Sequence, residues 1–502
     1  MWGKRGEETE NETPRRTKRA RRKQIMMLHT VEEWSKTLLK NSGITIKSVE
    51  SLETELMSFL DEFASCFARS EGRENFALII KGLLSDLERK NIERIVLRYG
   101  EIYQVRSLQN FMSSENAVDH EALLRLYQEK LAAVISQADG MFTVDGSDIA
   151  KKGTKSVGVS RQHCGSRGKI DNCQAAVFVG FTSDIGYGLV AFMLYLPDSW
   201  MGDENKDRRD ACHVPENVKF KTKIELASEM INNAVRTEFF QAKWVGVDSA
   251  FGRSKEFLRN LPDGMLYFAD ILFNMKVFPM EKSGKNCIAA TESIPVSEVA
   301  EDKRIPWKRV ILGEGSKGPI IAREKCIRIF DYYTKNGKGK GKPGEELWLY
   351  IRKYADGKLK YALSNAPADT PTRELRRVAT MRWPIEQCFE ECKDKLGMDH
   401  YEIRSWTGWH RHMLFVFIAH LFLLKMRLRF KDKNPILTLS QARTLVSASI
   451  EKSKEAICNA IKCVNYNIWR NWKAYTSHRK KRVSEWNALC DPCERITSHS
   501  NC

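Results

Sequence analysis

Apolar positions change their spacing more than once along this chain. From Ile25 to about Ala133 they recur every three or four residues, and Phe76, Ile79, Ile80, Leu83, Leu84 and Leu87 mark one buried helical face. Near Gly140 the pattern turns to short apolar runs. Met141–Asp145 reads as a strand ending on an acid, and Ala175–Thr182 and Leu189–Leu196 read as two more. A helix over Thr222–Thr237, a strand over Trp244–Asp248 and a helix near Lys255–Leu261 follow, and that alternation predicts a mixed α/β sheet. Between 273 and 370 short β runs return (KVF, CIAATESI, KRVIL, PIIARE, CIRIF, LWLYIRKY), separated by loops rich in Gly and Lys. The clearest loop is GKGKGKPG at 337–344, whose Lys338, Lys340 and Lys342 could touch phosphates or simply form a hairpin tip. After Pro371 the chain turns helical through Phe430. The longest apolar run, Met413–Leu424, is broken by His420 and falls short of the ~20 residues a membrane span needs, so it predicts a buried helix.

These shifts divide the chain. Residues 1–24 form a basic tail, low in apolar content and expected to stay disordered until bound. Residues 25–135 read as a helical N-terminal DNA-binding domain, with a purely structural bundle as the alternative. An α/β core occupies 136–272 and 371–430, a β-rich insertion occupies 273–370, and a basic helical region occupies 431–502.

Composition narrows the function classes. The 502 residues allow about three domains, and 42% hydrophobic with 29% charged residues is ordinary for a globular protein, not for a disordered chain, a collagen or a transporter. The net charge of +18 is not ordinary, and it favours a polyanionic partner. Residues 1–24 hold nine Lys and Arg against four acids, and residues 431–502 hold thirteen against six, so the surplus concentrates at the two ends. The charged first residues, with no apolar core after them, do not read as a secretory signal. With no membrane span expected, nucleic acid is the better partner than lipid. Thirteen scattered cysteines fit a reducing cytosol. Cys490, Cys493, His499 and Cys502 have a spacing that could bind zinc, but they sit in a polar tail whose composition favours a loose end instead.

Two predicted strands end on an aspartate, Asp145 and Asp248. Active sites of α/β folds are commonly built there, although a strand-end Asp can also merely cap a turn. A third element is R-W-P-I-E-x6-K, Arg382 to Lys393. Pro384 fits the first turn of a helix, and Glu386 and Lys393, about two turns apart, share one face. Such a pair is often a surface ion pair. Its company raises it: Arg404, Trp406, Trp409, His410, Arg411 and His412 interleave bases with aromatics, which suits phosphate contacts and stacking, or else core packing for the tryptophans. In the insertion, Trp307 lies between Lys303-Arg304 and Lys308-Arg309, behind Pro306. It could stack on a flipped base or pack under a hairpin.

Several of these stretches carry a resemblance. Asp145 before DIAKKGTKSVGVSRQHCG, then YLPDSWMGDENKDRRDACHVPENVKFKTK, WVGVDSAFG, YALSNAPADTP and RWPIEQCFEECKDKLGMDHYEIRSWTGWHRHM are similar to bacterial insertion-sequence transposases of the DDE superfamily. Specifically, the chain resembles the insertion-sequence family numbered seven hundred and one, from about 70 to 430. The resemblance implies an RNase H-like catalytic core interrupted by a β-rich insertion and flanked by helical regions. It implies Asp145, Asp248 and Glu386 as the catalytic, metal-holding acids, with Arg382 and Lys393 as the basic members of the tyrosine-arginine-glutamate-lysine signature. The signature's tyrosine position is Ala379 here, Asp148 is a rival to Asp145, and Glu390 and Glu391 are rivals to Glu386.

The implied chemistry is hydrolytic nicking at transposon ends, then attack of the freed 3′-OH on target DNA. Two Mg2+ ions ~3.5–4 Å apart, with Mn2+ able to substitute, would clamp the attacking and leaving oxygens on three carboxylates. Arg382, Lys393, Arg404, Trp307, Lys308 and Arg309 are the DNA-contact candidates, and Arg can hold a phosphate bidentately. No G-x4-G-K-[ST] loop is present, so no ATP requirement is expected. The partners are double-stranded DNA, as transposon ends and target, and a second copy of the chain in a synaptic homodimer. The expected location is the bacterial cytoplasm, at the nucleoid. The alternative is a transposase-derived DNA-binding protein that no longer cleaves.

Overall fold

Five helices open the described part of the chain, and local chemistry sets their ends. In α1 (Ile46–Asp61), Thr45 and Ser48 close a reciprocal capping box that satisfies two otherwise orphaned backbone donors. The predicted stripe lies on α2 (Ser70–Leu84), where Phe76, Ile79, Ile80, Leu83 and Leu84 are buried, while Leu87 falls beyond the helix end. Then come α3 (Ile92–Tyr99), α4 (Gln104–Ser113) and α5 (His120–Ile135). The computed structural model describes residues 44–283, 286–315, 317–334, 341–431, 434 and 437–488. The basic tail at 1–24, residues 337–340 of the 337–344 loop and the cluster from Cys490 to Cys502 lie outside the described residues.

The core sheet begins with β1 (Gly140–Ala150), β2 (Ser160–Cys164), β3 (Lys169–Thr182) and β4 (Tyr187–Tyr195). Short helix α6 (Lys206–Ala211) leads to α7 (Lys223–Arg236), capped by a Thr222–Glu225 capping box. After β5 (Ala242–Val247) come α8 (Ser249–Gly252), α9 (Lys255–Arg259) and β6 (Leu266–Ile271). Strands β1, β3 and β4 pair antiparallel, whereas β1, β5 and β6 run parallel. That is the mixed sheet of an RNase H-like core. β1 is longer than its apolar run suggests: it continues to Ala150, so Asp145 lies inside the strand rather than at its end.

The insertion comprises β7 (Lys276–Ser283), β8 (Asn286–Ala289), β9 (Ile294–Pro295), α10 (Val296–Glu301), β10 (Lys308–Gly315), β11 (Gly318–Tyr333), β12 (Lys342–Tyr354) and β13 (Leu359–Ser364). It is not a separate sheet. β13 pairs antiparallel with β6, with Ala362 opposite Asp270, so the strand order runs β2-β3-β1-β5-β6-β13-β12-β11-β7-β8 in one sheet. PIIARE and CIRIF, expected as two strands, are one. The polar residues at their join, Glu324 ending the first run and Lys325 between the two, are buried and paired: Glu324 accepts from Tyr350 Oη at 2.8 Å and is ion-paired to Arg376, and Lys325 Nζ donates to the Ala300 and Asp302 carbonyls.

After the sheet come α11 (Thr372–Met381), α12 (Pro384–Leu396), α13 (Trp406–Lys431), α14 (Leu439–Ile450) and α15 (Lys454–Asn487). Residues Met413–Leu424 of α13 are buried throughout, as expected of that run. The N-terminal helices pack on it through Phe76–Phe415 and Tyr127–Phe417, with ring centroids 4.9 and 5.8 Å apart. The aromatic and basic stretch at its start is largely internal: Trp409, Arg411 and His412 are buried, and Arg411 donates to the Phe111 and Ser114 carbonyls. Among the described residues no helix is long and apolar enough to cross a membrane.

Candidate catalytic carboxylate site

Strand register assembles the first half of the site. Val144 of β1 pairs with Val247 of β5 in parallel, so the residues that follow them, Asp145 within β1 and Asp248 just past the end of β5, stand side by side. Asp248 also caps α8, its Oδ1 accepting from Ala250 N at 2.9 Å and Phe251 N at 3.1 Å. Asp145 Oδ1 accepts from Gly146 N at 2.7 Å. Burial, then the neighbouring Asp248, pushes the Asp145 carboxyl up to about 7; Arg382 pulls the other way. Two half-buried carboxylates this close favour a cation between them.

Glu386 approaches from α12, where Pro384 occupies the first turn. Its Oε1 accepts from Arg382 Nη2 at 2.6 Å, and Arg382 Nε in turn is 3.0 Å from Asp270 Oδ2. Arg352 Nη2 reaches Asp270 Oδ1 at 3.3 Å and its Nη1 donates to the Ala379 carbonyl at 3.0 Å. Arg352 and Arg382 are both buried. Asp270 was not singled out from the sequence, although Leu266–Asp270 shows the same apolar run ending on an acid as the other two strands. Ala379, at the signature's tyrosine position, is buried in the cluster formed by Trp244, Trp348, Tyr350, Leu375 and Val378.

The rivals sort by geometry. Asp148 is three residues beyond Asp145 on a regularly paired strand, so it points to the opposite face, where it accepts from Gly165 N at 2.9 Å. Glu391 is turned against Tyr187, Gln387 and His420. Glu390 is exposed and lines the cleft at Arg382. The donor set at Asp145, Asp248 and Glu386 is all carboxylate oxygen, which suits a hard divalent ion. The three do not close to within 4.8 Å of one another; among the described residues only Cys388, Cys392 and His420 bring three ligand atoms that near.

Two clefts flank this region. One, of about 1250 Å³, is lined by Lys151, Lys152, Lys155, Arg167, Lys393 and Arg404, with Asp148, Asp171, Asp399 and Glu402 among them. The other, of about 1090 Å³, is lined by Asp270, Arg352, Lys360, Arg382, Glu390 and Lys395, with Trp383 at its side. Trp383 is 55% exposed, unusual for a tryptophan, and no local pattern in the sequence singles it out. Trp307 does not line this second cleft. It is half-buried against the core, with Lys325 Nζ 4.8 Å from its ring centroid. Lys308 is exposed and Arg309 half-buried, both on β10.

The chain is similar to known proteins over most of its length. Residues 62–286, which include Asp145, Asp248 and Asp270, match the DDE superfamily endonuclease family. Over 379 residues the chain is 25% identical to the probable transposase for insertion sequence element IS701 of Microchaete diplosiphon, which covers 72% of this chain and 87% of that protein. Residues 62–286, which hold most of the RNase H-like core, are thus similar to DDE superfamily endonucleases, and along most of its length the chain is similar to an insertion-sequence transposase.

Proposed function

We propose that this protein is a cut-and-paste DDE transposase. It binds the terminal inverted repeats of an insertion sequence, cleaves phosphodiester bonds at the ends and joins the 3′-OH ends to target DNA. The observation that supports this most is the Val144–Val247 register, which sets Asp145 beside Asp248 within reach of the Arg382–Glu386 pair. Asp145, Asp248 and Glu386 would hold Mg2+, or Mn2+ in its place, which when bound activates the attacking oxygen and stabilises the leaving one. Arg382 orients Glu386 and offers its remaining guanidinium face to a phosphate. Lys393, Arg404 and the lysines of the larger cleft hold the DNA backbone beside the acids, and Lys308 and Arg309 extend the contact onto the insertion. Synapsis of two ends calls for two copies of the chain, and DNA as substrate places it at the bacterial nucleoid.

The test is a cleavage assay on duplex carrying the element's terminal repeat, with Mg2+ and without ATP. Specific nicking followed by strand transfer supports the reading. Specific end binding with no cleavage by the unmodified chain would instead identify a DNA-binding protein of transposase descent, a reading that Ala379 in the tyrosine position favours.

A further inference from the structure

A second set of ligand-type side chains lies on the other side of the helix that carries Glu386. Cys388 and Cys392 are one turn apart on α12, so both thiols face α13, where His420 interrupts the apolar run. The two sulfurs and a ring nitrogen of His420 lie within 4.8 Å of one another, and all three residues are buried. His420 Nε2 is 3.7 Å from Cys388 Sγ and 3.1 Å from Glu391 Oε2. Glu391 is held from its other oxygen, which accepts from Tyr187 Oη at 2.9 Å and Gln387 Nε2 at 3.1 Å. A carboxylate oriented by two donors, with its second oxygen on His420 beside the two thiols, can give up that hydrogen bond to serve as a fourth ligand. Cysteines one turn apart on a helix point the same way rather than at each other, which disfavours a disulfide.

We propose that Cys388, Cys392, His420 and Glu391 form a structural zinc site. Two sulfurs, one imidazole and one carboxylate complete a tetrahedral set, and thiolates reject the hard Mg2+ that the acids on the other side would take. Binding releases the two thiol protons and the proton that His420 holds against Glu391 to solvent, and requires no redox partner. The ion would pin α12 to α13, and Glu386 lies two residues from Cys388 on the pinned helix.

The test uses the full chain, purified from zinc-supplemented cells, with zinc counted per chain and Zn K-edge X-ray absorption recorded. Cys490, Cys493, His499 and Cys502 are a second possible zinc set, so the Cys490→Ser/Cys493→Ser protein is measured alongside. The expected result in that protein is one zinc per chain with two sulfurs at about 2.3 Å and two lighter ligands. Cys388→Ser/Cys392→Ser should lose this zinc, and Glu386→Gln should keep it. Absence of zinc from the Cys490→Ser/Cys493→Ser protein, or a shell there with no sulfur or more than two, overturns the proposal. That measurement does not depend on whether the Cys388 and Cys392 variants fold.

Discussion

Arg382 stands between Asp270 and Glu386, its Nε 3.0 Å from the one and its Nη2 2.6 Å from the other. The third acid is thus tethered through a buried arginine to a strand of the core. Asp270→Ala would strand Arg352 and Arg382 without their shared partner, and losing one member of a buried pair costs about 3–5 kcal/mol. The expected outcome is a marked fall in Tm together with slowed cleavage. Asp270→Asn keeps a hydrogen-bond acceptor and should recover much of both, which thermal melting and single-turnover nicking can check.

The acids themselves should separate binding from chemistry. Asp145→Ala, Asp248→Ala or Glu386→Gln should abolish nicking and strand transfer but leave end binding nearly intact, because affinity comes chiefly from Lys and Arg on phosphates. Gel-shift and cleavage assays on the same duplex decide it. Full cleavage by Glu386→Gln would remove Glu386 from the site.

Acid should unfold this protein early. Burial pushes His120 and His412 down to about 4 and His410 down to about 3, with Arg411 adding to the effect at His120. Their folded values lie below the ordinary 6.5, so below that pH the unfolded chain binds more protons than the folded one. The stability these histidines contribute is therefore fully present above about pH 6.5 and lost as pH falls toward 4, partly offset by Asp145, whose raised carboxyl works the other way. Chemical denaturation between pH 7 and 4.5 should show that slope, and His412→Gln should make it shallower.

Trp383 and Trp307 should part company. Trp383 is exposed beside the cleft at Arg382, so Trp383→Ala should leave Tm unchanged; if a base stacks there, DNA affinity falls by ~1–3 kcal/mol. Trp307 covers the buried Lys325, so Trp307→Ala should lower Tm, with every activity falling together. A Trp307→Ala protein of normal stability that stalls after nicking would return that indole to the DNA.

Legibility followed distance along the chain. Asp145, Asp248 and Glu386 stand out because each sits in a local pattern, an apolar run before an acid or a proline opening a helix, and each lies in a stretch that carries the resemblance. Asp270 shows the same local pattern, yet its importance lies in Arg382 and Arg352, which reach it from other segments. The joining of the insertion to the core was hidden for the same reason, since the pairing of Ala362 with Asp270 is not a local property. Lys325 looked like a break between two strands because its buried partners, the Ala300 and Asp302 carbonyls, come from elsewhere. Trp409 and Arg411 looked like a nucleic-acid surface because a helix buried on every side offers no polar face to mark its orientation.

The packing of the N-terminal helices on α13 also bears on how the protein is made. Arg411 and Phe111 are 300 positions apart, yet Arg411 caps the Phe111 carbonyl, and Phe76 rests against Phe415. During translation the first helices emerge long before the helix that covers them. They must wait with apolar faces uncovered, a state that invites chaperones and slows folding. A polypeptide released before about residue 430 would lack part of that cover, so premature termination should yield rapidly degraded fragments rather than a stable truncated competitor for the element's ends.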